Sequence, residues 1–138
     1  MRETEVNGMT ISEVSKKYGV SPDALRYYER VGAIPPVHRS AAGIRDYDEA
    51  DCGWVELVKC MRGAGLPVEA LVEYVRLYGE GDATLAARRA LLVRQRAELE
   101  AQIQTMRDTL ARLDFKISRY DAALENGVLD FSEGGDCQ

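Results

Sequence analysis

The sequence predicts a mainly α-helical protein, with an N-terminal winged helix-turn-helix of four helices and a small two-stranded wing, followed by a long C-terminal coiled-coil dimerisation helix. Three observations predict it. Two short amphipathic stretches within residues 10–32 each open on a capping residue and close on glycine. A segment punctuated by Pro and Gly, residues 34–47, has the length of a hairpin. Finally, no Gly or Pro interrupts residues 82–126, where apolar residues recur at heptad spacing. The expected organisation is an N-terminal extension at 1–8, the winged helix-turn-helix at 9–80, the coiled-coil helix at 82–126 and an acidic flexible tail at 127–138.

Thr10 followed by Glu13 has the form of a capping box, and Ile11, Val14 and Tyr18 share one helical face until Gly19. Ser21 is a good N-cap and Pro22 suits the first helical position, so a second helix runs to about Val31 and stops at Gly32. Two short helices joined at a Gly-containing turn make a helix-turn-helix. Between Ile34 and Tyr47, the small-residue loop Ser40 to Gly43 is flanked by segments that could pair as a wing. Asp48 with Asp51 caps a third helix reaching about Met61, ended by Gly63 and Gly65. Pro67 opens a fourth helix that finishes near Gly79 and Gly81.

In the last element Leu99, Ile103, Met106, Leu110, Leu113, Ile117, Tyr120 and Leu124 are spaced 4, 3, 4, 3, 4, 3, 4. That is a coiled-coil seam. Leu92 and Leu85 continue its register upstream, but Arg96 and Arg89 take the alternating positions and weaken it. At a rise of 1.5 Å per residue, residues 82–125 would span about 66 Å, more than one small domain covers. A second copy of the chain, making a homodimer, is the expected partner.

Composition sets limits. With 46% hydrophobic and 30% charged residues in 138, the chain is globular, with room for one compact domain and an appendage. No apolar run reaches the roughly 18 residues of a membrane span, and the polar, acidic start is unlike a secretory signal. A cytoplasmic location is expected. The net charge of −5 is awkward for a nucleic-acid binder: residues 1–66 carry 9 Lys and Arg against 10 Asp and Glu, and residues 67–138 carry 9 against 13. Cys52, Cys60 and Cys137 form no CxxC pair, and His38 is the only histidine, so neither a metal site nor a disulfide framework nor a resident cofactor is expected. No nucleophile and base pairing, carboxylate constellation or phosphate loop points to an enzyme.

The second helix carries the chemistry. Its wheel puts Ala24, Leu25, Tyr28 and Val31 inward and Asp23, Arg26, Tyr27 and Arg30 outward. Two guanidiniums and a phenol on one exposed face suit phosphates and guanine edges in a major groove. A solvated face of mixed charge is the plainer alternative, since Asp23 and Glu29 partly offset the arginines. Arg39 and Arg45 flank the wing loop, with Tyr47 two residues on and so on the same side of a strand as Arg45. Lys59 and Arg62 offer either a further phosphate contact or ordinary surface charge.

These residues also carry a resemblance. Thr10-Ile11-Ser12-Glu13-Val14, then Val20-Ser21, then Leu25-Arg26-Tyr27-Tyr28-Glu29-Arg30 with Gly32, then Gly43-Ile44-Arg45-Asp46-Tyr47, resemble in order and spacing the DNA-binding half of MerR-family transcription regulators. The match continues through Lys59 to Gly65 and covers about residues 9–78. The resemblance implies that Arg26, Tyr27 and Tyr28 touch DNA, that Arg45 and Tyr47 belong to the wing and that Arg62 lies near the backbone. With them, Ser21, Arg30 and Arg39 complete the candidate DNA-binding set. It further implies homodimers on double-stranded promoter DNA that bend and untwist it so that RNA polymerase engages both promoter elements, a readout through deformability.

Within the family, the missing long C-terminal domain disfavours a multidrug sensor, and four clustered cysteines for an iron–sulfur site are absent. The run Trp54-Val55-Glu56-Leu57-Val58-Lys59-Cys60-Met61-Arg62, with Gly65-Leu66-Pro67-Val68-Glu69-Ala70-Leu71, resembles the aldehyde-responsive, thiol-based subgroup. That resemblance implies Cys60 as the electrophile sensor, with Cys52 the runner-up. The wheel places Cys60 at the shoulder of an arc of Ala50, Trp54, Leu57, Val58 and Met61, where it reads equally as a small core residue. A metal or drug bound at the dimer interface, or a coiled-coil protein-interaction module, are the alternatives.

Overall fold

The computed structural model describes residues 8–130, so the N-terminal extension, Cys137 and most of the expected tail lie outside the described residues. Helix α1 spans Ile11–Tyr18, α2 Pro22–Val31, α3 Glu49–Gly63 and α4 Val68–Gly79; a short 3-10 turn, Asp82–Thr84, leads into α5, Leu85–Asn126.

The local signals act as their chemistry requires. Thr10 Oγ1 accepts the Glu13 amide while the Glu13 carboxylate accepts that of Thr10, closing the capping box of α1. Ser21 Oγ accepts the Ala24 amide with Pro22 in the first turn of α2. Asp48 and Asp51 form a second reciprocal box at the start of α3. Gly19 and Gly32 end α1 and α2 at φ 69° and 86°, a left-handed backbone that side chains rarely adopt.

The expected two-stranded wing takes a different form. Among the described residues there is no strand, only two isolated antiparallel bridges, Arg39 with Arg45 and Met9 with Tyr47. Between them the loop is closed by the Ser40 and Gly43 amides, which donate to the Ile44 and Ser40 carbonyls at 2.8 Å. The wing is a turn pinned at its neck, because the Val37 and His38 amides that would extend the ladder donate instead to the Glu29 and Asp51 carboxylates.

The core is buried between the first three helices and α4: Val14, Leu25, Tyr47, Val58 and Leu71 are at most 1% exposed, with Ala33, Ile34, Val37 and Val55 beside them. The α3 wheel missed Val55 and counted Ala50 inward, whereas Ala50 is exposed.

The described residues divide into two compact units, one ending at Gln95 and the other beginning at Arg96, within α5. The first turns of α5 belong to the first unit for a visible reason. Leu91 is buried, and Arg88 reaches back to donate to Thr84 Oγ1 and the Gly81 carbonyl, each at 3.0 Å, with its guanidinium 5.3 Å from the centre of the Tyr78 ring. In the second unit, considered alone, the seam from Ile103 to Leu124 is exposed along its length and Leu99 is half-buried. No helix among the described residues is long and apolar enough to cross a membrane.

Candidate nucleic-acid interface

Helix α2 presents the face that the wheel reading placed outward. Leu25 is fully buried and Tyr28 half-buried against the core, whereas Arg26, Tyr27 and Arg30 are exposed. Asp23 holds Arg26 extended along the helix through a 3.0 Å bond, and the Arg30 guanidinium lies 5.4 Å from the Tyr27 ring centre. These contacts pre-order two cations and a phenol on one surface at little side-chain entropy cost. Ser21 is exposed, but its oxygen already serves the helix cap.

The wing arginines turn out to be braced. Arg45 is 23% exposed and its Nε donates to Glu29 Oε1 at 2.7 Å. Arg39 donates to the Gly43 carbonyl at 3.0 Å, stiffening the loop from within. Tyr47 corrects the sequence reading outright. It is 0% exposed, its amide and carbonyl are paired with Met9, and its ring fills the core, so it supports the wing and presents nothing to DNA. The alternation that placed it beside Arg45 presumes a regular strand, and none forms here. Arg62 is exposed at the end of α3 and donates to the Leu66 carbonyl.

Glu29 is the residue that sequence reasoning missed. Counted there as an offset to the arginines, its side chain is only 12% exposed and accepts from both Arg45 and the Val37 amide, the latter at 2.8 Å. Burial opposes its charge, but the bonds from Arg45 and Val37 outweigh that and hold its carboxyl below the usual range. No one-dimensional signal marks it, since Arg45 lies sixteen residues on. Ile44, 64% exposed at the wing loop, was also not singled out.

The two described thiols differ sharply. Cys60 is exposed, which removes the reading of it as a small core residue. Cys52 is buried beside Met9, in a cleft also lined by Lys17 and Tyr18; burial pushes its thiol up despite a bond from Tyr18 and the charge of Lys17.

Comparison with known proteins places this architecture. The MerR HTH family of regulatory proteins matches residues 9–77, and the MerR DNA-binding region matches residues 53–115. The chain belongs to the MerR family. As a MerR-family protein it is a DNA-binding regulator of transcription. It is 55% identical over 91 residues to the HTH-type transcriptional regulator AdhR of Bacillus subtilis, a match covering 66% of this chain and 65% of AdhR. A MerR-family transcriptional regulator from Listeria monocytogenes is 48% identical, with a TM-score of 0.82 over 86% of this chain and 90% of that one. HiNmlR, a MerR-family regulator lacking the sensor domain and solved bound to promoter DNA, is 26% identical, with a TM-score of 0.79 over 88% of this chain and 97% of its own.

Proposed function

We propose that this regulator is a cytoplasmic homodimer that sits on promoter DNA and responds to reactive aldehydes or related electrophiles through Cys60. The observation that carries the DNA half is the Arg26, Tyr27 and Arg30 face, exposed on a helix whose opposite side is sealed into the core. Two such heads are joined by pairing the seam Leu99 to Leu124, apolar and exposed from Ile103 onward in a single chain. Arg39, Arg45 and Arg62, with the Ser21 hydroxyl, supply backbone-positioning contacts, and Arg26, Tyr27 and Arg30 face the groove. Tyr28 reaches DNA only at its edge, since its ring is half in the core. Bending and untwisting of the duplex then sets whether RNA polymerase engages the promoter. The protein regulates and does not catalyse.

The signal half is supported by the exposure of Cys60, the burial of Cys52 and the similarity to AdhR. A thiolate at Cys60 attacks the aldehyde carbonyl carbon. The new S–C bond forms as the carbonyl π pair moves to oxygen, which takes up a proton to give a hemithioacetal. No redox partner is needed.

Two measurements test the reading. A gel shift against DNA upstream of its own gene should show specific retention at physiological salt, weakened about five- to 150-fold in Arg26→Ala, because a base-edge arginine contributes roughly 1–3 kcal/mol. Aldehyde-induced transcription should vanish in Cys60→Ser and persist in Cys52→Ser. Retention unchanged in Arg26→Ala defeats the DNA half, and induction unchanged in Cys60→Ser removes the thiol from the mechanism.

A further inference from the structure

The neck of the wing is fastened by carboxylates from two helices. Glu29 of α2 holds Val37 and Arg45. The next residue, His38, is held by α3: its amide donates to Asp51 Oδ2 at 3.2 Å, and its Nδ1 lies 2.9 Å from the same oxygen and 3.0 Å from Asp48 Oδ2. Its carbonyl accepts the Asp46 amide at 2.7 Å from the returning arm of the wing. Amide, carbonyl and ring of one residue thus join the outgoing arm, the returning arm and the start of α3.

We propose that His38 is a positioning residue for DNA binding: its imidazolium, seated between Asp48 and Asp51, clasps the wing to α3, so that operator affinity rises as this one histidine takes up a proton. The proposal rests on the reading that the wing grips DNA.

The geometry asks for charge. A single Nδ1 proton is shared between two carboxylates, and a neutral ring leaves two anions facing one dipole. Neither anion is free to swing aside. Asp51 is buried and also accepts the Asp48 amide, while Asp48 caps the Asp51 amide. The other charges near the neck do not cancel this field. Asp46 adds to it from the returning arm, and Glu29 of α2 is matched by Arg45 and Arg39. The hydrogen bond from Asp51, then its charge, then those of Asp48 and Asp46, hold the imidazole above the ordinary value of 6.5. The clasp is therefore complete below the ordinary histidine value and weakens as pH rises through the raised one.

The ring remains 64% exposed, so screening keeps the effect small, a factor of about two to five, as for other exposed ion pairs. So small a factor is readable because the chain has one histidine. The full-length protein gives one imidazole to follow by NMR. Operator affinity is measured in parallel by fluorescence anisotropy from about pH 6 to about pH 8, the range in which histidine titrates, at fixed ionic strength. The expected result is an imidazole titrating above an unfolded-peptide histidine, that shift shrinking in Asp48→Asn. Affinity should fall about two- to fivefold across the titration. His38→Gln, a neutral donor, should bind at the weak level at every pH, and His38→Lys, which keeps the charge, should restore the strong level without the inflection. An imidazole titrating at or below the ordinary value overturns the clasp. Operator binding that is present but flat in pH overturns the positioning role alone, whereas no retention at any pH defeats the DNA reading and this proposal with it.

Discussion

The two compact units obey opposite rules of burial. In the first, Val14, Leu25 and Tyr47 are fully sealed by side chains from the same chain, and even the DNA-facing helix spends half its surface on that seal. In the second, no described residue is buried, and Ile103, Met106, Leu110, Leu113, Ile117, Tyr120 and Leu124 form one exposed stripe, with Leu124 84% exposed. A stripe of this kind is far more apolar surface than a solitary helix keeps in water. The comparison teaches that hydrophobic pattern alone does not say whose atoms it will meet. The first unit's pattern is answered within the chain, and on our proposal the second unit's is answered by a second chain.

The largest expected effect breaks the second half of that comparison. Leu113→Glu places a carboxylate in the middle of the stripe, repeated in both copies, and should convert the dimer to a folded monomer in light scattering at micromolar concentration. A dimer that survives this change would mean the stripe is not the interface. Next in size, Leu25→Ala should remove about 2–5 kcal/mol from urea unfolding of the first unit, since the side chain is fully enclosed. A smaller change of opposite sign sharpens the comparison. The Tyr47 hydroxyl is buried without a hydrogen-bond partner, so Tyr47→Phe should be neutral or stabilise by up to about 1–2 kcal/mol, with operator affinity intact. Loss of operator binding in that variant would restore the residue to the interface. The smallest effect concerns Glu29. Its carboxyl is held below the usual range, so its contribution is present above the unfolded carboxylate value and is lost as pH falls through the lower, folded one. Acid unfolding should therefore begin at a higher pH in Glu29→Gln than in the unmutated protein, and an unchanged acid midpoint would count against the brace.

Helix boundaries, caps and the seam were legible because each depends on neighbours within one turn: Thr10 with Glu13, Ser21 with Ala24, Leu110 with Leu113. The outward set Arg26, Tyr27 and Arg30 was legible for the same reason. What escaped was tertiary. Tyr47 is turned inward by its pairing with Met9, Glu29 is defined by Arg45, and His38 by Asp51 thirteen residues away. The wing was placed correctly along the chain but not in form, because a longer ladder needs the Val37 and His38 amides and these are taken by carboxylates of α2 and α3.

One carboxylate joins α2 to the neck of the wing, holding Val37 on the outgoing arm and Arg45 on the returning one. A reading head locked in this way behaves as a stiff two-pronged fork whose prong spacing is set before any duplex arrives. On the proposed reading, a fork whose prong spacing is fixed in this way would leave the duplex to take up the misfit on docking, as strain in the base-pair steps between the prongs.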